Sequence, residues 1–168
     1  MHREGHVGAA LAAYGPIALV AAAFGFDTAA VGGGVVAVGL AMVPDWDQRI
    51  PGVKHRGSTH TVRFAGAVSI ATAAVGAFVG YLHPELGAID AVGTAVFLGA
   101  VGAGTILSHI AADALTPMGV EPFGDGRHYS YGVCRADSTL GNYGLLVLGL
   151  LVALVGYGLG AGVNGAIA

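Results

Sequence analysis

The sequence predicts an all-α fold: a polytopic membrane helix bundle of about five transmembrane helices, forming a single membrane domain over residues 1–168. Three observations point there. Hydrophobic residues make up 55% of the 168-residue chain and charged residues only 10%, with a mean hydropathy of +0.73, whereas soluble domains carry about 25% charged residues. Thirty glycines, with abundant Ala and Val, supply the small side chains that let membrane helices approach closely. The apolar residues are gathered into stretches long enough, or nearly so, to cross a bilayer.

The first stretch runs roughly over 7–26, with Pro16 expected to kink it. The second, over about 28–43, is short and carries Gly32-Gly33-Gly34. The third covers about 62–82, the fourth 89–112 and the fifth 143–163. Gly76-x-x-x-Gly80 and Gly156-x-x-x-Gly160 are candidate close-packing faces in the third and fifth. Residues 25–28 and 83–88 are short turns, but residues 44–61 and 114–142 are longer polar segments rich in His, Asp and Arg. Connections of that length are usually functional or disordered, and this composition favours function. The N-terminal residues His2, Arg3, Glu4 and His6 precede an apolar run too long for the core of a cleaved signal peptide.

Counting spans places the N-terminal residues and the 44–61 and 114–142 segments on one membrane side. Every basic residue lies on that side or at its border: Arg3, Arg49, Lys54, Arg56, Arg63, Arg127 and Arg135. The opposite side has Asp27, His83, Glu85 and Asp90. By the positive-inside rule the chain is expected to be N-in and C-out in the cell (inner or plasma) membrane. Cys134 is the only cysteine, which excludes an intramolecular disulfide and a cysteine-based zinc cluster. A net charge of −3 carries no nucleic-acid footprint, and no direct nucleic-acid partner is expected.

The same count gathers candidate ligands at the cytoplasmic ends of four helices. His6 starts the first span, Asp45 and Asp47 end the second, His55 and His60 lead into the third, and His109 and Asp113 end the fourth. His109 and Asp113, four residues apart, share a helix face about 6 Å apart along the axis. A charge that deep in an apolar segment is costly without a partner or cation. Alone, the pair would read as a buried hydrogen bond; with the other five residues it reads as part of a metal site. A mixed imidazole/carboxylate set suits a divalent ion, zinc first and manganese or magnesium next, and seven donors leave room for one or two ions.

The blocks Pro44-Asp45-Trp46-Asp47, His55-Arg56-Gly57-Ser58-Thr59-His60 and His109-x-x-x-Asp113-x-x-Thr116-x-x-Gly119 resemble those of the YdjM/YbcI-type membrane-bound metal-dependent hydrolases. That family is also described as LexA-binding and inner-membrane-associated. The resemblance runs from His6 to about Asn142 and implies a multi-span fold, a metal site and hydrolase chemistry of unspecified substrate. Relatives carry an acidic residue near the start of the last span, where this chain reads Ser138-Thr139-Leu140-Gly141-Asn142. A more distant similarity is to zinc-dependent phospholipase C enzymes, with His6, Asp45, His60, His109 and Asp113 in the parallel positions; their second histidine–acid helix pair has no counterpart here.

The expected chemistry is hydrolysis of a phosphoester in a lipid or amphiphilic substrate at the cytoplasmic membrane face. His60, His109 and Asp113 would hold a metal with an open position for water, and Asp45 would bridge to a second ion. Asp47 and His55 are candidates for metal binding or for acid–base work. Lys54 and Arg56 are candidates for holding a phosphate or carboxylate, or are simply topology-setting charge. Thr59 and Thr116 either hydrogen-bond ligands and substrate or cap helix ends. Arg127 and Arg135 either guide an anionic substrate or meet lipid headgroups. The alternative is a non-enzymatic membrane metal-binding or regulatory protein that docks a cytosolic partner on 114–142. A transporter is a weaker third reading, because Thr72, Thr94 and Thr105 are scattered and mild.

Overall fold

The computed structural model describes residues 1–82 and 87–167, and all regular structure among them is helical. Five long helices follow in order: α1 (Arg3–Ala23), α2 (Asp27–Leu40), α3 (Val62–Tyr81), α4 (Gly87–Ala114) and α5 (Thr139–Ile167). Each lies in a segment long and apolar enough to cross a membrane. The outward faces are apolar, with Val20, Ile70, Val96, Leu151 and Leu154 exposed as lipid-facing residues would be, while the interior holds His6, Asp47, His60, His109, Asp113, Thr116 and Asn142. The expected turn at 83–88, with His83 and Glu85, lies largely outside the described residues.

Helix bounds shift from the sequence expectation where polar residues join the ends. α1 starts at Arg3, so His6 belongs to its first turn, and it continues through Pro16. It closes with Gly25 at φ +77, where Gly25 N–H donates to Ala22 O and Phe26 N–H to Ala21 O, the paired bonds of a Schellman cap. α2 has 14 residues, about 21 Å long at 1.5 Å per residue and short of a hydrocarbon core of about 30 Å. A 3-10 helix (Pro44–Arg49) follows and completes the apolar segment Asp27–Arg49. Asp45 and Asp47 therefore lie within a spanning segment instead of beyond one.

Two close helix pairs build the bundle, and α1 joins them by also touching α2 and α4. α1 and α5 run parallel in a fixed register: a side chain at Gly149 would collide with Gly8 O, at Gly156 with Gly15 O and at Gly160 with Leu19 O. Only glycine allows that backbone approach. α3 and α4 pair antiparallel, with Gly76 against Thr94 and Gly80 against Ala91. Both expected small-residue motifs thus lie at helix contacts.

The polar segments fold over one end of the bundle. A short 3-10 turn (Ser58–His60) precedes α3, whose N-cap Thr61 accepts from Phe64 N–H. The 114–142 segment is ordered by an antiparallel bridge between Val120 and Tyr129 and is tied to the end of α4 by Tyr131 N–H donating to Ala114 O and Val133 N–H to Leu115 O, each 2.8 Å.

Candidate metal centre

Each element brings its donors to the site from its end. His6 comes from the first turn of α1, Asp45 from the 3-10 helix after α2, and His60 from the 3-10 turn before α3. His109 and Asp113 come from the last two turns of α4. His6, His60, His109 and Asp113 are all essentially buried.

His60 Nε2 and His109 Nε2 stand 3.2 Å apart. His60 Nε2 is 3.3 Å from Asp45 Oδ1 and 3.4 Å from Asp113 Oδ2; His109 Nε2 is 3.5 and 3.8 Å from the same two oxygens. Ligands of a tetrahedral zinc at bond lengths of about 2.0–2.1 Å are separated by about 3.3–3.4 Å. These separations cluster about that edge. His6 Nε2 reaches the outer oxygens, 3.7 Å from Asp45 Oδ2 and 3.6 Å from Asp113 Oδ1, and both its ring nitrogens are buried without a hydrogen-bond partner. His6 also stacks on His109, ring centroids 3.6 Å apart and 8° from parallel. Asp45 links this group to a second one with His55 and His60, whose ligand atoms lie within 4.8 Å of one another.

The histidines are oriented from behind. His109 Nδ1–H donates to Ala41 O at 2.7 Å, which turns the Nε2 lone pair toward the cluster. His60 Nδ1 faces Thr59 Oγ1 at 3.0 Å, and Thr59 donates onward to Asp47 Oδ2 at 2.8 Å. Two imidazole lone pairs 3.2 Å apart, facing carboxylate oxygens, repel unless a proton or cation lies among them. Burial disfavours a charged His60, but its contacts with Asp113 and Asp45 outweigh that and raise its pKa. The donor chemistry and the orphaned His6 nitrogens fit a divalent cation.

Arg56 closes the other side. Its Nη2 donates to Asp113 Oδ1 at 2.6 Å, and its Nη1 to Thr116 Oγ1 at 3.1 Å and Gly119 O at 2.8 Å. Its side chain is 8% exposed, and it sits at φ 59, a left-handed conformation that a non-glycine residue adopts at a cost. The side-chain contacts, with Arg56 N–H donating to Asp47 Oδ2 at 3.2 Å, hold it there. The spacing Asp113-x-x-Thr116-x-x-Gly119 is thus the set of acceptors for one guanidinium. Gly119 has φ +63, and a side chain on it would strike Tyr129 O and His128.

The remaining predicted residues separate. Asp47 is buried with Oδ1 3.0 Å from Nδ1 of His55, whose side chain is 36% exposed. Lys54 is exposed. Arg127 is exposed, paired with Asp125 at 2.6 Å and set over the Phe123 ring; Arg135 pairs with Asp137. Two contributors escape sequence reasoning. The Ala41 carbonyl carries no side-chain signal. Asn142 is buried one turn into α5; its Oδ1 accepts from His2 N–H at 2.9 Å and its Nδ2 donates to Ala136 O and Ser138 O. It fixes the start of α1, and with it His6. The Met1 amino nitrogen lies 2.7 Å from Asp113 Oδ1.

Five apolar helices and a buried imidazole/carboxylate cluster define a multi-pass membrane protein compatible with a metal site. The chain belongs to the YdjM inner membrane protein family, whose profile matches residues 1–165. No curated protein and no solved structure matches it.

Proposed function

We propose that this is a membrane-embedded metal-dependent hydrolase acting on a phosphoester of a lipid or amphiphile at the cytoplasmic face. The observation that carries the reading is the convergence of His60, His109, Asp45 and Asp113 at tetrahedral-edge separations, beside a half-exposed His55 paired with Asp47. Asp45, His60, His109 and Asp113, with His6 beside the outer carboxylate oxygens, would supply the donors for the ion. Zinc suits the histidine-rich set best. Those residues would hold an ion whose chemistry, once bound, would be Lewis acidity toward a phosphoryl oxygen and toward water.

The protein's own groups have separable tasks. Asp47 Oδ1 accepts the Nδ1 proton of His55, leaving His55 Nε2 free to take a proton from water or deliver one to a leaving oxygen. Arg56 spends its Nη donors on Asp113, Thr116 and Gly119, so it positions a ligand carboxylate. Thr59 orients both His60 and Asp47. The grouping of all seven basic residues at one end supports the cytoplasmic orientation.

The test is elemental analysis of the purified protein together with metal-dependent release of phosphate or headgroup from phospholipid micelles. The doubly substituted His109→Ala/Asp113→Ala protein is expected to lose both metal and turnover. Turnover persisting in that variant refutes the assignment. Stoichiometric metal with no turnover on any phosphoester instead supports the regulatory reading.

A further inference from the structure

Outside the donor cluster, an open cleft of about 480 Å³ lies between the 54–64 segment and the 121–124 turn. That volume is within the range of small-molecule sites, about 300–1,000 Å³. Its lining includes the polar Lys54, Arg63 and Ser58 and the aromatic Phe64 and Phe123. Val62 N–H donating to Pro122 O at 2.8 Å ties the two sides together. Among the described residues neither Lys54 nor Arg63 has an ion-pair partner, whereas Arg127 and Arg135 are each matched by a neighbouring aspartate. Glu121 also lines the cleft, so its two free cations face one carboxylate and the balance stays positive.

The cleft is joined to the donor cluster by one residue. Arg56 lines it, and the same guanidinium grips Asp113 with its Nε buried and unpartnered. An anion held by Lys54 and Arg63 therefore sits next to the metal centre while leaving the ligand set intact. Two cations, a hydroxyl and two aromatic rings match a phosphate group carried on an apolar body, and a planar guanidinium suits two phosphate oxygens at once.

We infer that this cleft is a phosphate-binding subsite in which Lys54 and Arg63 hold the phosphate of an amphiphile against Phe64 and Phe123. Its role as a substrate subsite rests on the hydrolase reading above; its binding of phosphate does not. The test is therefore made without turnover, on full-length protein in neutral detergent after chelation. Inorganic phosphate and glycerol 3-phosphate are titrated calorimetrically, and in a second arm phosphatidylcholine nanodiscs with or without phosphatidic acid are presented to the protein.

Wild type is expected to bind the phosphate-bearing probes, and Lys54→Ala/Arg63→Ala to bind them at least about tenfold more weakly, as loss of charge-assisted hydrogen bonds implies. Arg63→Lys is expected to recover part of the loss. Arg135→Ala, outside the cleft and paired with Asp137, is expected to bind as wild type does. Soluble probes binding as well as lipid identifies free phosphate groups as sufficient; binding by phosphatidic acid alone, lost in the cleft variant, identifies the lipid headgroup. Either result supports the cleft. No binding by wild type, equal binding by the cleft variant, or an equal loss in the Arg135 control overturns it, the last by showing diffuse surface charge. Binding here, together with no turnover by the metal-loaded protein in the assay above, refutes the enzymatic reading and leaves the cleft standing.

Discussion

Replacing Thr59 by alanine isolates the support behind the candidate metal centre without altering a candidate ligand. The Thr59 hydroxyl bridges His60 Nδ1, 3.0 Å away, and Asp47 Oδ2, to which it donates at 2.8 Å. With His60 Nε2 committed to the cluster, Nδ1 carries the proton and Thr59 accepts it. Alanine leaves that buried N–H facing Asp47 Oδ2 at 3.4 Å, too long for a good bond. An orphaned buried donor costs about 1–3 kcal/mol. Loss of an orienting partner behind a metal-bound histidine lowers metal affinity by about 10–100-fold, or about 1.4–2.7 kcal/mol. The two ranges agree, and because a small ring rotation would bring His60 onto Asp47, the expected loss is near the lower end, about tenfold.

The assay is competition of purified protein against a chromogenic zinc chelator at fixed pH. Thr59→Ser keeps the hydroxyl and is expected to bind zinc nearly as wild type does. Equal affinity in Thr59→Ala and wild type refutes the relay. Equal losses in Thr59→Ala and Thr59→Ser also refute it, since they would trace the effect to the methyl group.

Three other outcomes are expected. Gly149→Val drives a side chain onto the Gly8 carbonyl and should destabilise the α1–α5 pair by about 1–3 kcal/mol or more, read by thermal melting in detergent; Gly162→Ala, with open space around its Cβ, should melt as wild type does. Arg56→Ala leaves a buried Asp113 oxygen without its guanidinium, a change of about 3–5 kcal/mol in the metal-free protein and less with metal bound; chemical unfolding with and without chelator measures both, and Arg56→Lys should not restore three donor contacts. The third concerns pH. His60 keeps its proton above the ordinary value of 6.5 because Asp113 and Asp45 outweigh the effect of burial. Its contribution to the stability of the metal-free fold is therefore full below that pH and lost as pH rises through the raised pKa. Metal needs the neutral ring, so zinc affinity should rise over the same interval; opposite slopes in melting of chelated protein and in zinc titrations check this.

The bundle was legible because lipid-facing helices cannot hide their composition, while the helix ends moved: outward at the start of α1 and at both ends of α5, inward at the ends of α1 and α2. α1 begins at Arg3 and α5 at Thr139 because the N-terminal polar residues and Asn142 lie inside the interface, where hydropathy gives no sign of a helix. His109 and Asp113 were legible from helical spacing, and the parity of the spans brought the other donors to the same end. Two things were hidden. One is the parallel register of α1 against α5, because glycine is so frequent that Gly8 and Gly15 do not stand out. The other is the set of contacts of Arg56, since only the fold shows Asp113, Thr116 and Gly119 arranged around its guanidinium.

The placement of the donors also explains how a bundle of mostly featureless helices specifies one arrangement. Apolar contacts between lipid-exposed helices give little direction, since lipid tails are as apolar as Leu or Val. Direction comes from glycine contacts along the length and from polar groups at one end. The glycines set α1 on α5 and α3 on α4, but leave the two pairs to be related by other contacts. The cluster adds to the apolar contacts of Tyr14 and Ala18 with Ala37 and Val101: His6 belongs to the first pair, His109 and Asp113 to the second, and Asp45 and His60 arrive from the segment between α2 and α3. A misregistered bundle would bury these imidazoles and carboxylates apart from one another, at several kcal/mol for each unsatisfied group. The same residues that would hold the ion thereby penalise the wrong folds, and the centre is as much a determinant of the architecture as a product of it.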